Sequence, residues 1–336
     1  MNASSSEPRP SRDVPTREDL ERQILGEQPS LTTEEVVEGS DEQAAAARRL
    51  WRALGFPDSG GASSFTYADK EAIGLLTSLV DAGALDLDTA LKLTRAVGHT
   101  MGRLADWQVA TLSEHVEGIE QSGRGTGSRI RTGLDVVHAL KPPFEELMVY
   151  AWRRHLAAAV SRVEALGAQD SNLHTTIVTV GFADLVSFTR LSNGIGEDHL
   201  ADLVEDFESN CADIVTGAGG RVIKTLGDSV LFIAGRPATG VDIACEIVNR
   251  IGGYESLPDV HVGLATGPVV MRLGDVFGRP VNMASRLTGV ARRNRVICDV
   301  ETANALAERG GYAVRPLTER FVRGFGPVQP IAVRRL

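Results

Sequence analysis

The chain has 336 residues, which is longer than one ordinary domain. Hydrophobic residues make up 43% of the chain and charged residues 24%, a composition typical of globular proteins, so a wholly disordered or fibrous protein is excluded. Residues 1–170 hold 18 basic and 26 acidic side chains, while residues 171–336 hold 17 and 18, giving a net charge of −9. Nucleic-acid binders normally present a basic face, so this balance disfavours a nucleic-acid partner and indicates two halves with different roles.

Cysteine spacing and apolar runs indicate the compartment. Cys211, Cys245 and Cys298 show no CxxC or zinc-type spacing, so neither a disulfide framework nor a structural metal site is predicted. The N-terminal MNASSSEPRPSRD lacks the apolar segment of a signal peptide, and no apolar run reaches the roughly 18 residues of a membrane span. The sequence therefore predicts a cytoplasmic protein without a transmembrane segment.

The first half is predicted to be helical after a short tail. Residues 1–16 are rich in Ser, Pro and Arg, and we expect them to form a flexible tail. Over 17–165 apolar residues recur at helical spacing without a convincing alternating strand. A capping box at 40–43 begins one predicted helix, which stops at Gly55. The next two predicted helices cover residues 67–81 and about 88–119.

A glycine-rich break and a proline pair interrupt the helical pattern. Residues 121–128, QSGRGTGS, lack the GK[ST] ending and the preceding strand of a phosphate loop, so a plain flexible loop is predicted. Within the helical run of about 129–166, Pro142 and Pro143 are expected to begin a new helix, since proline disrupts a helix interior. The composition changes at 166–173, the predicted linker between domains.

From residue 174 strands alternate with helices. A β-type run over 175–182 ends at Ala183 and Asp184, and a helix follows over 197–216. Runs at 221–226 and 229–234 flank Gly227-Asp228, a hairpin signature, because glycine at the first turn position permits the positive φ of a II′ turn. The other predicted elements are a helix at 239–251, a strand at 260–266 with 269–273 pairing to it, a helix at 281–291, a strand at 296–299, a short helix at 301–309 and terminal strands. The order β-α-β-β-α-β is typical of a ferredoxin-like α/β sandwich.

Two aspartates stand at the ends of predicted strands. Asp184 follows a strand that should be buried, and Asp228 lies at the hairpin tip. Alone, each has an ordinary explanation, a helix N-cap for Asp184 and turn chemistry for Asp228. In the predicted fold the first strand and the hairpin are neighbours, so the two carboxylates can converge on Mg²⁺, which takes one or two carboxylates plus substrate phosphates.

Three further polar residues accompany this pair. Lys224 lies in an apolar strand, where a lysine at a sheet edge is often only a solvated surface group. Asn282 and Arg286 are four residues apart on a predicted helix and share a face, where an amide and a guanidinium can bind a ribose oxygen and a phosphate. A helix cap and a surface arginine are the alternatives for these two.

Three motifs carry a resemblance to class III nucleotidyl cyclases. They are FADLVSFT at 182–189, KTLGD at 224–228 and DVFGRPVNMASR at 275–286. The resemblance covers 174–336 and implies an α/β catalytic domain of that family. It implies that Asp184 and Asp228 bind two metal ions, Mg²⁺ or Mn²⁺. It also implies that Lys224 and Asp275 recognise adenine, at positions where guanylyl cyclases typically have Glu and Cys. By the same resemblance, Asn282 would position the ribose and Arg286 would stabilise the transition state.

The resemblance also implies an activity and an assembly. The expected reaction converts ATP to cyclic AMP and pyrophosphate in a head-to-tail homodimer, each site taking metal ligands from one chain and the other residues from its partner. The alternatives are a guanylyl cyclase, a catalytically silent nucleotide-binding module and a helical DNA-binding regulator, the last disfavoured by the acidic first half. Arg323, in VRGFG, lies where a further phosphate-binding cation can occur, and it stays outside the predicted set. His261, within a strand, is predicted to be a packed residue.

The helical half more loosely resembles the regulatory domain of some actinobacterial cyclases, including pH-responsive enzymes, through its helical layout and residues 85–98. That resemblance implies a dimeric helical disc that switches catalysis and, in some relatives, a lipid or fatty-acid ligand. His99, His115, His138 and His155 lie in helical segments and histidine titrates near physiological pH, although each is also a common packing or surface residue. The expected organisation is an all-α regulatory domain at 17–165 joined to the catalytic domain at 174–336.

Overall fold

The computed structural model describes residues 15–37, 40–57, 65–167, 175–252, 257–272 and 274–336. The chain divides into two compact units, Met1–Ala158 and Ala159–Leu336. Most of the predicted tail and of the predicted 166–173 linker lies outside the described residues, so both stay predictions.

The N-terminal helices follow the predicted pattern. They are α1 (Arg17–Leu25), α2 (Thr33–Val36), α3 (Asp41–Ala53), α4 (Tyr67–Asp81), α5 (Leu87–Gln121) and α6 (Arg129–Gly167). The predicted capping box at the start of α3 is confirmed, since Ser40 and Gln43 cap each other's backbone N–H groups. The predicted helix at 67–81 matches α4, and the break at 121–128 separates α5 from α6.

The expected new helix at Pro142 is wrong, because α6 runs through both prolines. Two prolines leave the carbonyl groups of His138 and Ala139 without their i+4 donors. His138, Ala139 and both prolines are exposed, so water can satisfy those carbonyl groups. Solvent exposure therefore lowers the free-energy cost of proline inside this helix, and that cost was the reason for expecting a new helix at Pro142.

Helices α3 and α5 pack closely. Leu50 and Ala53 of α3 meet Ala90 and Leu91 of α5 in a small apolar core. A Cβ atom at Gly98 would overlap the backbone of Leu54, so only glycine permits this approach. Within the described residues, none of the helices combines the length and apolar character that spanning a membrane requires.

The second unit is built on a mixed sheet. Its strands are β1 (Thr175–Leu185), β2 (Arg221–Thr225), β3 (Ser229–Ala234), β4 (Val260–Arg272), β5 (Asp275–Phe277), β6 (Arg295–Cys298), β7 (Tyr312–Pro316), β8 (Arg320–Val322), β9 (Gly326–Val328) and β10 (Ile331–Arg335). The main sheet has the order β2-β3-β1-β4-β6-β10-β7, β5 pairs with β4, and β8-β9 form a separate hairpin. The first four strands have the ferredoxin-like order, and the predicted α/β class is confirmed.

Two local features of the sheet refine the predictions. Gly227, at the tip between β2 and β3, has φ +71°, as the predicted turn requires. Residues 269–273 were expected to pair with 260–266, which is wrong. Instead β4 continues through Gly267 and Pro268 because residues 260–270 pair with β1, and residues 270–272 pair with β5.

Helices cover both faces of the sheet. They are α7 (Phe188–Ser192), α8 (Glu197–Gly217), α9 (Pro237–Ile251), α10 (Arg279–Val290) and α11 (Val300–Arg309). Phe207 of α8, Val241 of α9 and Leu306 of α11 join one apolar core, and Met283 and Leu287 of α10 join the other. Alternate residues of β1 supply both cores, so β1 is buried on both faces.

A buried carboxyl group caps α11. Asp299 is 6% exposed and accepts hydrogen bonds from the backbone N–H of Thr302 at 3.0 Å and of Thr266 at 3.2 Å. Burial is the largest influence on this group, and it raises the pKa of Asp299 from 3.8 to about 6 despite these donors.

This pKa predicts a pH-dependent contribution to stability. The folded chain binds the Asp299 proton more tightly than the unfolded chain, so the free energy of unfolding falls as pH rises from about 4 to about 6. Urea unfolding of the wild type and Asp299→Asn across pH 4.5–7 measures this as a change in the difference between the two chains. A difference that stays constant with pH would contradict the assignment.

Candidate active site

The two predicted metal ligands meet at one end of β1. In the register Asp184 lies opposite Ser229 of β3 and His261 of β4. The Ser229 hydroxyl donates to one oxygen of Asp184, and His261 Nε2 lies 3.0 Å from the other. The backbone N–H of Leu185 donates to the carbonyl of Asp228 at 3.0 Å, which fixes the hairpin tip beside Asp184.

The two carboxylates influence each other electrostatically. Burial raises the pKa of Asp228, and the negative charge of Asp184 raises it further. A divalent cation would relieve this repulsion. Mg²⁺ often takes one or two carboxylates from a protein and its other ligands from water and substrate phosphates, so this pair of carboxylates fits Mg²⁺. No group of three or more His, Cys, Asp or Glu suited to a metal occurs in the described part of the chain.

The helix-cap alternative for Asp184 is wrong. Asp184 lies inside β1, and the N-cap of the following helix α7 is Ser187. Ser187 has φ +61°, a left-handed conformation that non-glycine residues rarely adopt. Such backbone often occurs at functional sites, and here it immediately follows the end of β1 that carries Asp184.

Lys224 and Asp275 form a second polar pair. Lys224, on edge strand β2, donates to Asp275 Oδ2 of β5 at 2.6 Å, and each side chain is about one-third exposed. Burial alone would raise the pKa of Asp275, but the hydrogen bond from Lys224 and that from the Val276 backbone outweigh it and lower the pKa. Lys224 is therefore not merely a solvated surface group, because it is held by a partner 51 residues away.

Asn282 and Arg286 lie together on the exposed face of α10. The N-cap of α10 is Gly278, so Asn282 is not a cap. Within the described residues neither side chain forms a hydrogen bond or an ion pair, so both are free to meet a ligand. A Cβ atom at Gly263 of β4 would overlap the backbone of Ala284 and Thr288, so glycine sets how closely α10 approaches the sheet.

The six predicted site residues thus form separate groups within one chain. Asp184 and Asp228 form one, Lys224 and Asp275 another, and no hydrogen bond or ion pair among the described residues joins them to each other or to Asn282 and Arg286. Arg323 is exposed at the turn between β8 and β9. One chain contains all six predicted residues without assembling them into one bonded site.

Comparisons with known proteins place these groups in a family. Residues 172–333 match the model of the adenylate and guanylate cyclase catalytic domain. An adenylate cyclase of Streptomyces coelicolor is 37% identical, and the match covers 94% of this chain and 89% of that protein. The chain belongs to the class III cyclase family. A pH-sensitive adenylate cyclase of Mycobacterium tuberculosis is 28% identical over 94% of this chain and 81% of its own length.

One similar solved structure is the catalytic core of a rhodopsin-guanylyl cyclase with converted specificity, in complex with ATPαS. It is 23% identical to this chain with a TM-score of 0.45, and the match covers 48% of this chain and 97% of that one. The prediction of a cyclase enzyme with a helical region before its catalytic domain is confirmed by the family match and the fold.

Sequence reasoning missed the position of His261 in this cyclase. It was predicted to be only a packed residue, and it is indeed mostly buried, with 14% of its side chain exposed. Its ring nevertheless holds one oxygen of Asp184 while Ser229 holds the other. The signal for this was the register, since aligning β1 with β4 places residue 261 opposite 184, but a single sequence does not fix that alignment.

We expect His261 to fix the orientation of Asp184 for metal binding. In the full-length cyclase, His261→Leu should weaken Mn²⁺ binding about tenfold, because groups that orient metal ligands typically contribute that much to affinity. Titration of Mn²⁺ followed by electron paramagnetic resonance measures this without turnover. His199→Leu, at an exposed position of α8, is the control. Equal Mn²⁺ affinity in both variants and the wild type would contradict this role.

Proposed function

We propose that this cyclase converts ATP to 3′,5′-cyclic AMP and pyrophosphate in a site shared by two copies of the chain. The observation that carries the choice of nucleotide is the Lys224–Asp275 pair, at positions that the motif resemblance assigns to base recognition. A carboxylate accepts from the exocyclic amino group of adenine, and an ammonium donates to a ring nitrogen. Guanine presents a carbonyl oxygen where adenine has its amino group, and that oxygen would face a carboxylate.

The chemistry follows from the groups described above. Asp184 and Asp228 would hold two divalent cations, Mg²⁺ or Mn²⁺. When bound, such ions supply positive charge that makes the 3′-hydroxyl more acidic and stabilises the pyrophosphate. Asn282 orients the ribose, so that the 3′-oxygen attacks the α-phosphorus in line. Arg286 neutralises the charge that develops on the α-phosphoryl oxygens. The bond from the α-phosphorus to the oxygen that bridges it to the β-phosphate breaks, pyrophosphate leaves, and the proton of the 3′-hydroxyl passes to solvent water.

Activity measurements test this function. The full chain with Mg²⁺ or Mn²⁺ should form cyclic AMP from ATP, and should form much less cyclic GMP from GTP. A preference for GTP would favour the guanylyl cyclase alternative. Binding of ATP without any product would favour the silent module.

A shared site is supported by the separation of the polar groups within one chain and by apolar side chains on the helices. Val149, Trp152 and Leu156 form a stripe on α6, with Trp152 59% exposed. A second exposed stripe on α5 consists of Leu93, Val97 and Met101. Exposed apolar patches of this kind mark protein interfaces, and we infer that they pair two copies of the chain.

Disrupting the α6 stripe should separate the copies. In Trp152→Glu/Leu156→Glu, charges replace apolar side chains that the proposed interface buries, so the chain should be monomeric and cyclic AMP formation should fall at least ~100-fold. Light scattering coupled to size-exclusion chromatography measures the mass. Arg153→Glu/Arg154→Glu, at neighbouring exposed positions, is the control. A dimer that persists in the Trp152 variant would contradict this interface.

We further propose that the helical unit regulates catalysis, since the similarity to the Streptomyces and Mycobacterium cyclases extends over it. The four helical histidines are all exposed, and His138 is held by Gln23 of α1 at 2.9 Å. Nothing in the described helices supports the lipid or fatty-acid ligand that the resemblance implied. Replacing the four histidines with asparagine should change the pH profile of cyclic AMP formation. A profile parallel to the wild type would exclude them as pH sensors.

A further inference from the structure

An arginine-lined cavity contains none of the predicted catalytic residues. It has a volume of about 750 Å³ and is formed by β6, β7 and β10 together with the end of α9. Among the described residues, its lining contains four arginines, Arg295, Arg315, Arg334 and Arg335, and no carboxylate side chain. This concentration of positive charge occurs in a chain whose net charge is −9.

The strand register brings three of these arginines to one face of the sheet. Val333 of β10 pairs with Val296 of β6, so the next residues, Arg334 and Arg295, are neighbours on the opposite face. Arg315 of β7 pairs with Ala332, two residues before Arg334, and therefore shares that face. Like charges at neighbouring positions on adjacent strands destabilise a sheet unless an anion lies between them.

These arginines lack acidic partners. Among the described residues, none of the four guanidinium groups forms an ion pair with a carboxylate. Arg293, near the cavity in sequence, does have one, since it lies 3.6 Å from Asp259. The charge of the cavity is therefore available to a ligand.

We propose that this cavity binds a small molecule carrying two or more phosphate groups. The planar guanidinium fork binds phosphate oxygens through two parallel hydrogen bonds, and several forks on one surface favour several phosphates. The cavity volume lies within the range typical of small-molecule sites.

The cavity lies beside the metal-binding end of the sheet. Arg295 pairs with His261 in the register, and His261 pairs with Asp184. Arg295 is therefore two strands from Asp184, a lateral separation of roughly 10 Å. The two sites share no residue, so binding at one can be measured while the other is disabled.

Calorimetric titration of the full-length chain with inorganic tripolyphosphate tests the proposal. The buffer contains a chelator and no divalent metal, and the Asp184→Ala chain is titrated in parallel to remove the metal site. Both chains should bind one tripolyphosphate per protomer. Arg315→Gln/Arg334→Gln should weaken binding at least tenfold, and Arg315→Gln alone, a milder change at an exposed position, should weaken it measurably.

The control is Arg48→Gln/Arg49→Gln, which removes the same charge from exposed positions of α3 and should leave the affinity unchanged. Equal affinity in all variants, loss of binding in Asp184→Ala, or no binding by the wild type would overturn the proposal. Binding to vesicles that contain a bisphosphorylated inositol lipid, without binding to free tripolyphosphate, would overturn its assignment to a small molecule.

Discussion

Asp184→Ala and Arg286→Ala are each expected to lower cyclic AMP formation at least ~100-fold, and a co-refolded mixture of the two chains should regain about a quarter of wild-type activity. Each variant alone damages both sites of a homodimer. In the mixture half of the dimers carry one copy of each variant, and each such dimer has one intact site if metal ligands and Arg286 come from different chains.

A matched mixture provides the control. Asp228→Ala combined with Asp184→Ala should regain nothing, because both changes damage the metal-binding part of every site. Cyclic AMP yield per protomer measures both mixtures. Failure of the Asp184→Ala and Arg286→Ala mixture to recover activity, with dimer formation verified, would show that the site does not combine residues from two chains.

The second large effect concerns nucleotide choice. Lys224→Glu/Asp275→Cys places at both positions the residue types that guanylyl cyclases typically carry, and it removes the 2.6 Å ion pair. The ratio of kcat/KM for ATP to that for GTP should fall at least ~100-fold, because a site that no longer pairs the polar edge of a base loses discrimination of this size. Steady-state rates with both nucleotides measure it.

The control for this change is Arg236→Glu, an exposed position after β3, which reverses a charge without touching the pair. Its ATP to GTP ratio should equal that of the wild type. An unchanged ratio in the Lys224→Glu/Asp275→Cys chain would mean that other residues read the base, and the adenine assignment would then fail.

Local patterns predicted much of the fold because they follow short-range chemistry. The α4 helix and the Ser40 cap depend on spacing and capping within a few residues. The continuity of β4 could not be predicted from local patterns, because Gly267 and Pro268 resemble a turn. Only the long pairing with β1 keeps these two residues extended. Similarly, α6 continues through Pro142 and Pro143, and the solvent exposure that lowers the cost of these prolines depends on the surrounding structure rather than on the local sequence.

The candidate site also contains residues that the sequence could indicate and contacts that it could not. Motif spacing indicated Asp184, Asp228, Asn282 and Arg286 as candidates, whose roles stay predictions. The contact between Lys224 and Asp275 spans 51 residues, and that between His261 and Asp184 spans 77, so both depend on strand register rather than on local sequence. Register is set by the whole sheet, which a single sequence does not specify.

The arrangement of the strands has an evolutionary consequence. Asp184 lies on β1, which is buried on both faces, whereas Lys224 and Asp275 lie on the edge strand β2 and the short strand β5. Substitutions at partly exposed peripheral positions cost little stability, while changes in a central strand cost much more. If Lys224 and Asp275 select the nucleotide as proposed, nucleotide preference can therefore diverge between descendants of this cyclase while the end of β1 that carries Asp184 remains constrained.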